Sequence, residues 1–314
     1  MKYLKINRII IMSKLYFKII NENDFEHGLN IMDESNNISF PFFSKKFNFC
    51  KPKYICNYLN HGTYLCNVYL PTNDPNFEIN YNSRENMEAN MIIISEKYDL
   101  KKSKTWNYMI SKGVNINKES EKILIWACEN GYLEIIKYLF KNEIPVDKNN
   151  DKILNIACRN GHLSVIRYLI KNGFDVNVNN GICIITSVEF DHLKIVKYLI
   201  RKGINIHTNN NEALLLASEL GYLKIVKYLV KNGADIHINN DYPLKLACLE
   251  GYLNIVKYLV SAGANVHIFD NKSTQWISER RNLKIAKYLR SKGANINLSQ
   301  VKIRELKKGK LSEE

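Results

Sequence analysis

The stretch GYLKIVKYLVKNGADIHINN, residues 221–240, decides the fold because it returns at a constant step. Thirty residues on it reads GYLNIVKYLVSAGANVHIFD (251–270), and thirty residues back DHLKIVKYLIRKGINIHTNN (191–210). Further copies are GHLSVIRYLIKNGFDVNVNN (161–180), GYLEIIKYLFKNEIPVDKNN (131–150) and RNLKIAKYLRSKGANIN (281–297). Self-similarity at a period of roughly 20–50 residues is the signature of a repeat architecture.

Within a copy, Leu223, Ile225, Val226, Leu229 and Val230 fall at the i, i+3, i+4, i+7 spacing of an amphipathic helix. A glycine then stops the run at Gly173, Gly203, Gly233, Gly263 and Gly293, since glycine enters the left-handed region without a Cβ clash. Glu143 breaks that column, and the helix before it is expected to end less cleanly. Upstream lies a second apolar run, as in ILIWAC (123–128), ILNIAC (153–158), ALLLAS (213–218) and PLKLAC (243–248). Its small-residue column, Ala127, Ala157, Ser187, Ala217 and Ala247, lets two helices approach to roughly 8–10 Å. Pro243 suits a first helical turn, where a missing N–H is harmless. Gly131, Gly161, Gly221 and Gly251 supply the turn between the helices. Asparagine pairs at 149/150, 179/180, 209/210 and 239/240 predict connectors with positive φ, which asparagine tolerates best after glycine.

The order small-residue helix, G-[YH]-L, [IV]-[VI]-K-Y-L, N-G-A-[DN]-[IV] closely resembles the ankyrin repeat. Pro243-Leu244-Lys245-Leu246-Ala247 stands where that family has T-P-L-H-x-A. The family's Thr and His are absent from every copy, and the period is three residues shorter than usual, so tight turns are expected in place of long β-hairpin fingers. The resemblance covers 118–297, with a weaker leading copy at 88–117 that keeps Trp106, Met109 and Gly113 in register. It implies a mainly α helix-turn-helix solenoid with repeats at 118–147, 148–177, 178–207, 208–237, 238–267 and 268–297. It also implies binding of another protein, with no catalytic residues, cofactor or metal.

Residues 1–87 hold no copy. TYLCNVYL (63–70), FEINYN (77–82), NMIII (90–94) and ISFPFF (38–43) are β-branched and aromatic, and Pro41, Pro71 and Pro75 punctuate them. A small α+β domain packed on the first repeat is expected. The layout is similar to that of giant-virus ankyrin repeat proteins, through His61-Gly62-Thr63-Tyr64-Leu65, Val68-Tyr69-Leu70-Pro71 and Ala89-Asn90-Met91-Ile92-Ile93. Met12 is a second possible start. The polar tail 298–314 suits a terminal cap, with a short helix from Ser299, and Trp276 and Ile277 mark an atypical end unit.

The 314 residues carry a formal net charge of +14, which raises nucleic acid as a partner. Yet the bias to Lys, Asn, Ile and Tyr runs through every region, as an AT-rich genome would produce. Seven cysteines occur without a Cys-x-x-Cys pair, and Cys128, Cys158 and Cys248 share a core-facing column. That use points to a reducing compartment. No run reaches the roughly 18 apolar residues of a membrane helix. An intracellular monomer is expected, in the host cytoplasm if viral, with the nucleus or the virion as the alternatives.

His207, His237 and His267 suggest a metal cluster, but ladder positions roughly 8–10 Å apart are too far to share a zinc ion bound at about 2.0–2.1 Å. Lys137, Arg167, Lys197, Lys227, Lys257 and Lys287 form a cationic column, readable as a solvated face or as a phosphate-binding ridge. The tyrosine column Tyr138, Tyr168, Tyr198, Tyr228, Tyr258 and Tyr288 reads as helix packing with the hydroxyl reaching water. Asp24, Glu26 and His27 lie close in sequence, with nothing to position them. By the family's pattern, partner contacts fall at the loop tips Asn149, Asp151, Asn179, Asn209, Asn211, Asn239, Asp241 and Asn271, and at the helix ends Arg159, Phe190, Leu220 and Leu249.

Overall fold

The computed structural model describes residues 14–22, 24, 28–31, 46–268 and 282–296. Met12, Glu26, His27, the segment 38–43, Asn271, Trp276, Ile277 and the 298–314 tail lie outside the described residues. The chain divides into two compact units, 1–147 and 148–314.

The first unit opens with strands β1 (Tyr16–Ile20), β2 (Gly28–Ile31), β3 (Phe47–Phe49), β4 (Tyr64–Tyr69), β5 (Ile79–Tyr81), β6 (Met87–Ala89) and β7 (Met91–Asp99), with a 3-10 helix at Pro52–His61. They form two antiparallel sheets, ordered β1-β4-β7-β2 and β3-β6-β5. A bridge between Phe17 and Cys50 joins the strand ends, and Tyr16, Ile20, Phe47, Phe49, Val68, Ile92 and Ile94 share one core. Sheet structure therefore runs past residue 87: β7 occupies the place of the first helix in the leading copy.

What remains of that copy is α1 (Ser103–Ser111), followed by α2 (Ser120–Glu129) and α3 (Leu133–Lys141). Trp106 and Met109 are fully buried, and the Trp106 Nε1–H donates to the Leu100 carbonyl at 2.8 Å. The Tyr108 hydroxyl donates to Asn67 Oδ1 at 2.9 Å, so the sheet and α1 are fixed to each other by a partly buried polar contact.

The second unit continues the pattern with α4 (Asp151–Arg159), α5 (Leu163–Lys171), α6 (Val178–Glu189), α7 (Leu193–Arg201), α8 (Thr208–Glu219), α9 (Leu223–Lys231), α10 (Ile238–Glu250), α11 (Leu253–Ser261) and α12 (Leu283–Ser291). First helices pack on first helices and second helices on second, giving two layers. The apolar stripe of each second helix is buried, as at Ile225, Val226 and Leu229. Each such side chain contributes roughly 1.5–3 kcal/mol. The small-residue column is fully buried between the layers.

Every second helix ends one way: a left-handed residue follows, and the next N–H reaches back to the helix, as Ala234 N–H does to the Leu229 carbonyl at 3.1 Å. Glu143 corrects the expectation for its copy. It takes φ 53°, and Ile144 N–H closes on the Leu139 carbonyl at 3.0 Å, so α3 stops as its equivalents do. The backbone requirement overrides the side chain, at a cost of roughly 1–2 kcal/mol for a non-glycine residue.

The connectors are tighter than hairpin fingers. Asn179-Asn180-Gly181, Asn209-Asn210-Asn211 and Asn239-Asn240-Asp241 each have three consecutive positive φ values, a full left-handed turn, before the right-handed helix begins. The first pair departs from this expectation. Asn150 has φ −69° and acts as an ordinary N-cap, its side chain accepting from Lys152 N–H.

Candidate partner-binding surface

The surface is built from three sets of residues: connector tips, first-helix ends and the exposed flank of the second helices. At the tips, Asn149, Asn179, Asn209 and Asn239 are exposed. Asp151 is half-buried and accepts from Asn179 Nδ2 at 2.7 Å. Two predicted contacts are corrected: Asn211 and Asp241 are only 5% and 4% exposed. Asn211 Oδ1 accepts from Asp235 N–H at 3.1 Å, and Asp241 Oδ1 accepts from Asn265 N–H at 3.0 Å. Each also lies against a histidine Nδ1, His207 at 3.0 Å and His237 at 2.9 Å. These groups therefore lock one connector to the next instead of facing outward, and the histidines serve the same locks. Among the described residues, no group of three or more His, Cys, Asp or Glu could hold a metal ion.

The first-helix ends do reach solvent. Phe190 is 41% and Leu220 36% exposed, one repeat apart at matching positions, while Leu249 is half-buried. The Arg159 guanidinium stands over the Phe190 ring at 5.4 Å, and His192 stacks beside it. Behind these ends the packing is close. A Cβ on Gly161 would lie 2.9 Å from the His192 ring, and one on Gly221 2.6 Å from Tyr252, so a side chain at either turn would displace the ring of the next repeat as well as hold a strained φ. Tyr242 and Tyr252, 42% and 37% exposed, extend the accessible apolar area, and the sequence reading did not single them out.

On the second helices, the cationic and tyrosine columns prove to be one structure. Arg167 lies over Tyr198 at 5.5 Å, Lys197 over Tyr228 at 5.4 Å, Lys227 over Tyr258 at 5.6 Å and Lys257 over Tyr288 at 5.9 Å. Each cation thus caps the ring one repeat further on, a contact of roughly 0.5–1 kcal/mol at an exposed site.

Burial pushes the Cys50, Cys56, Cys66 and Cys128 thiols up to about 12, so they stay protonated and inert. A cavity of about 30 Å³ beside Lys18, Asn48, His61 and Asn86 has room for little more than a water molecule. Burial lowers the Lys18 ammonium there to about 8, while its Nζ donates to the Asn48 carbonyl at 2.7 Å. No described helix is long and apolar enough to cross a membrane.

Comparison with known proteins agrees with this geometry. The family model described as ankyrin repeats (3 copies) matches residues 91–180 and 181–240, and that of the single ankyrin repeat matches 239–271. The chain belongs to the ankyrin repeat family. One similar protein is an ankyrin repeat protein of Acanthamoeba polyphaga mimivirus, 37% identical over 140 residues, 42% of this chain and 69% of its own length. An uncharacterized protein of the same virus is 40% identical over 131 residues, 39% of this chain and 95% of its own length. A further mimivirus ankyrin repeat protein is 33% identical over 145 residues, covering 40% of this chain and 52% of itself. As an ankyrin repeat protein the chain has the architecture of an interaction scaffold.

Proposed function

We propose that this chain is a non-catalytic scaffold that binds another protein, a viral protein acting as a monomer on a host partner in the host cytoplasm. One observation carries the reading: Phe190 and Leu220 are exposed at equivalent positions of successive repeats, where α4 is followed instead by the polar Asn160. Large side chains left open at a small, rigid site are the usual anchors of an interface. The mimivirus relatives support the viral setting. Affinity purification from infected amoebae tests it. A partner recovered with the parent protein is expected to be lost with Phe190→Ala/Leu220→Ala. Recovery of the same partner by that variant would overturn the assignment.

A second reading, binding of nucleic acid or another anionic surface, is favoured by the second helices. In 148–296 each carries one to three Lys or Arg and no Asp or Glu. Binding that falls steeply between about 50 and 200 mM salt, and is weakened by neutralising Lys197, Lys227 and Lys257, would select it.

A further inference from the structure

The cavity of about 30 Å³ in the strand-rich unit gathers polar groups from four separate segments. Lys18 comes from β1, Asn48 from β3 with Cys50 just beyond it, Tyr58 and His61 from the 3-10 helix, and Asn86 from the turn before β6. Phe17 and Cys50 exchange N–H to carbonyl hydrogen bonds at 2.9 Å in both directions, which holds β1 against the end of β3. His61 is exposed, so the cavity meets solvent on that side.

Two of its walls carry an unmet demand. The Oδ1 atoms of Asn48 and Asn86 are buried, and among the described residues nothing donates to either. Buried acceptors are paired in the great majority of cases, so an unpaired one calls for an explanation. Two such oxygens on one small cavity favour an occupant that donates hydrogen bonds and disfavour an anion, which can only accept.

The same cavity holds a nucleophile. Lys18 Nζ donates to the Asn48 carbonyl at 2.7 Å, and burial lowers its ammonium to about 8. At pH 7 roughly a tenth of it is therefore neutral amine, against roughly one part in two thousand of an ordinary lysine. Cys66 on β4, Cys50 and Asp24 are the charged or titratable groups that oppose this shift. Both thiols are themselves pushed up to about 12 by burial, and Asp24 is exposed, so burial prevails. The protonated Cys50 thiol does not compete, since the thiolate is the reactive form.

We propose that Lys18 is a covalent modification site for aldehydes of one or two carbons, which enter this cavity and condense with its amine. The Nζ lone pair attacks the carbonyl carbon, the C=O π pair moves to oxygen, and a proton passes from nitrogen to that oxygen. The product is a carbinolamine whose hydroxyl is the donor that the Asn48 and Asn86 oxygens are placed to accept. A proton from solvent then lets the hydroxyl leave as water, the nitrogen lone pair forms the C=N bond, and a protonated imine remains. Size sets the selectivity, because a cavity of about 30 Å³ has room for a carbon and an oxygen but not for an aromatic ring. The assignment is independent of the partner surface on the repeats, so either can fail alone.

The test treats the full chain with limiting acetaldehyde and cyanoborohydride at about pH 7, which converts each imine to a stable ethylamine, and maps the products by peptide mass spectrometry. Lys18 is expected to react at least about tenfold faster than the exposed Lys194 and Lys224 of the same molecule. Its rate should level off above about pH 8 while theirs keep rising. Benzaldehyde should show no preference for Lys18, and concentrated guanidinium chloride should abolish the preference for acetaldehyde. Asn86→Leu removes one unpaired acceptor and leaves no described donor stranded, so it should melt no lower than the parent and yet slow the ethylation of Lys18 severalfold. Ethylation of Lys18 no faster than that of Lys194 and Lys224 would overturn the proposal. The same preference with benzaldehyde, or an undiminished rate in Asn86→Leu, would overturn it as well.

Discussion

The second helices read LEIIKYLFK, LSVIRYLIK, LKIVKYLIR, LKIVKYLVK, LNIVKYLVS and LKIAKYLRS. The first helices end in ACENG, ACRNG, SVEFD, ASELG and ACLEG. One layer nearly copies itself, while the other keeps its small residue and changes the positions after it. The copied positions are those the fold uses twice, once inside a repeat and once against the next: the buried Leu139, Leu169, Leu199, Leu229 and Leu259, and the cations over the following tyrosines. The changing positions are exposed ones such as Arg159, Glu189 and Glu219. Variation weighted towards exposed ends, although the buried Cys158, Val188 and Ser218 also differ, is what a common frame with several recognition surfaces would show.

That contrast is broken most strongly where a variable connector residue performs a fixed task. Asp241→Ala removes the acceptor for Asn265 N–H and places alanine at φ 53°, so a loss of about 2–3 kcal/mol is expected in chemical denaturation. Asp241→Asn, which copies Asn211, should lose less than about 0.5 kcal/mol. A smaller effect of opposite sign comes from restoring the consensus. Glu143→Gly and Asp191→Gly, at φ 53° and 52°, should each stabilise by about 1 kcal/mol in the same measurement. Smallest is the rung between layers of copies. A double-mutant cycle of Lys197→Gln and Tyr228→Leu should return a coupling of about 0.5–1 kcal/mol, and zero coupling would make the cationic column a merely solvated face.

The helix pairs, glycine stops, small-residue column and tight connectors were legible because thirty-residue recurrence separates required residues from incidental ones. Strands β1 to β3 were not predicted: they are short, occur once, and carry no period against which to read them. The Lys197–Tyr228 contact joins residues in two columns each recognisable alone, but their pairing depends on helix phase and crossing, which spacing does not specify. Asn211 and Asp241 looked like loop tips because polar residues beside Asn-Asn suggest solvent. Their burial follows from a third left-handed residue that turns the side chain back to the neighbouring connector. Glu143 was misread because glutamate rarely enters the left-handed region, whereas the helix end demands that region from any residue placed there.

On the second helices, four cation-on-tyrosine contacts run from one copy to its successor, others stay within a copy, and among the described residues none skips a copy. Tension applied to the termini is therefore carried in series, and the weakest junction yields without releasing the others. Each thirty-residue unit that gives way adds about 100 Å of extended chain, so the array lengthens in steps and holds its remaining copies folded under load.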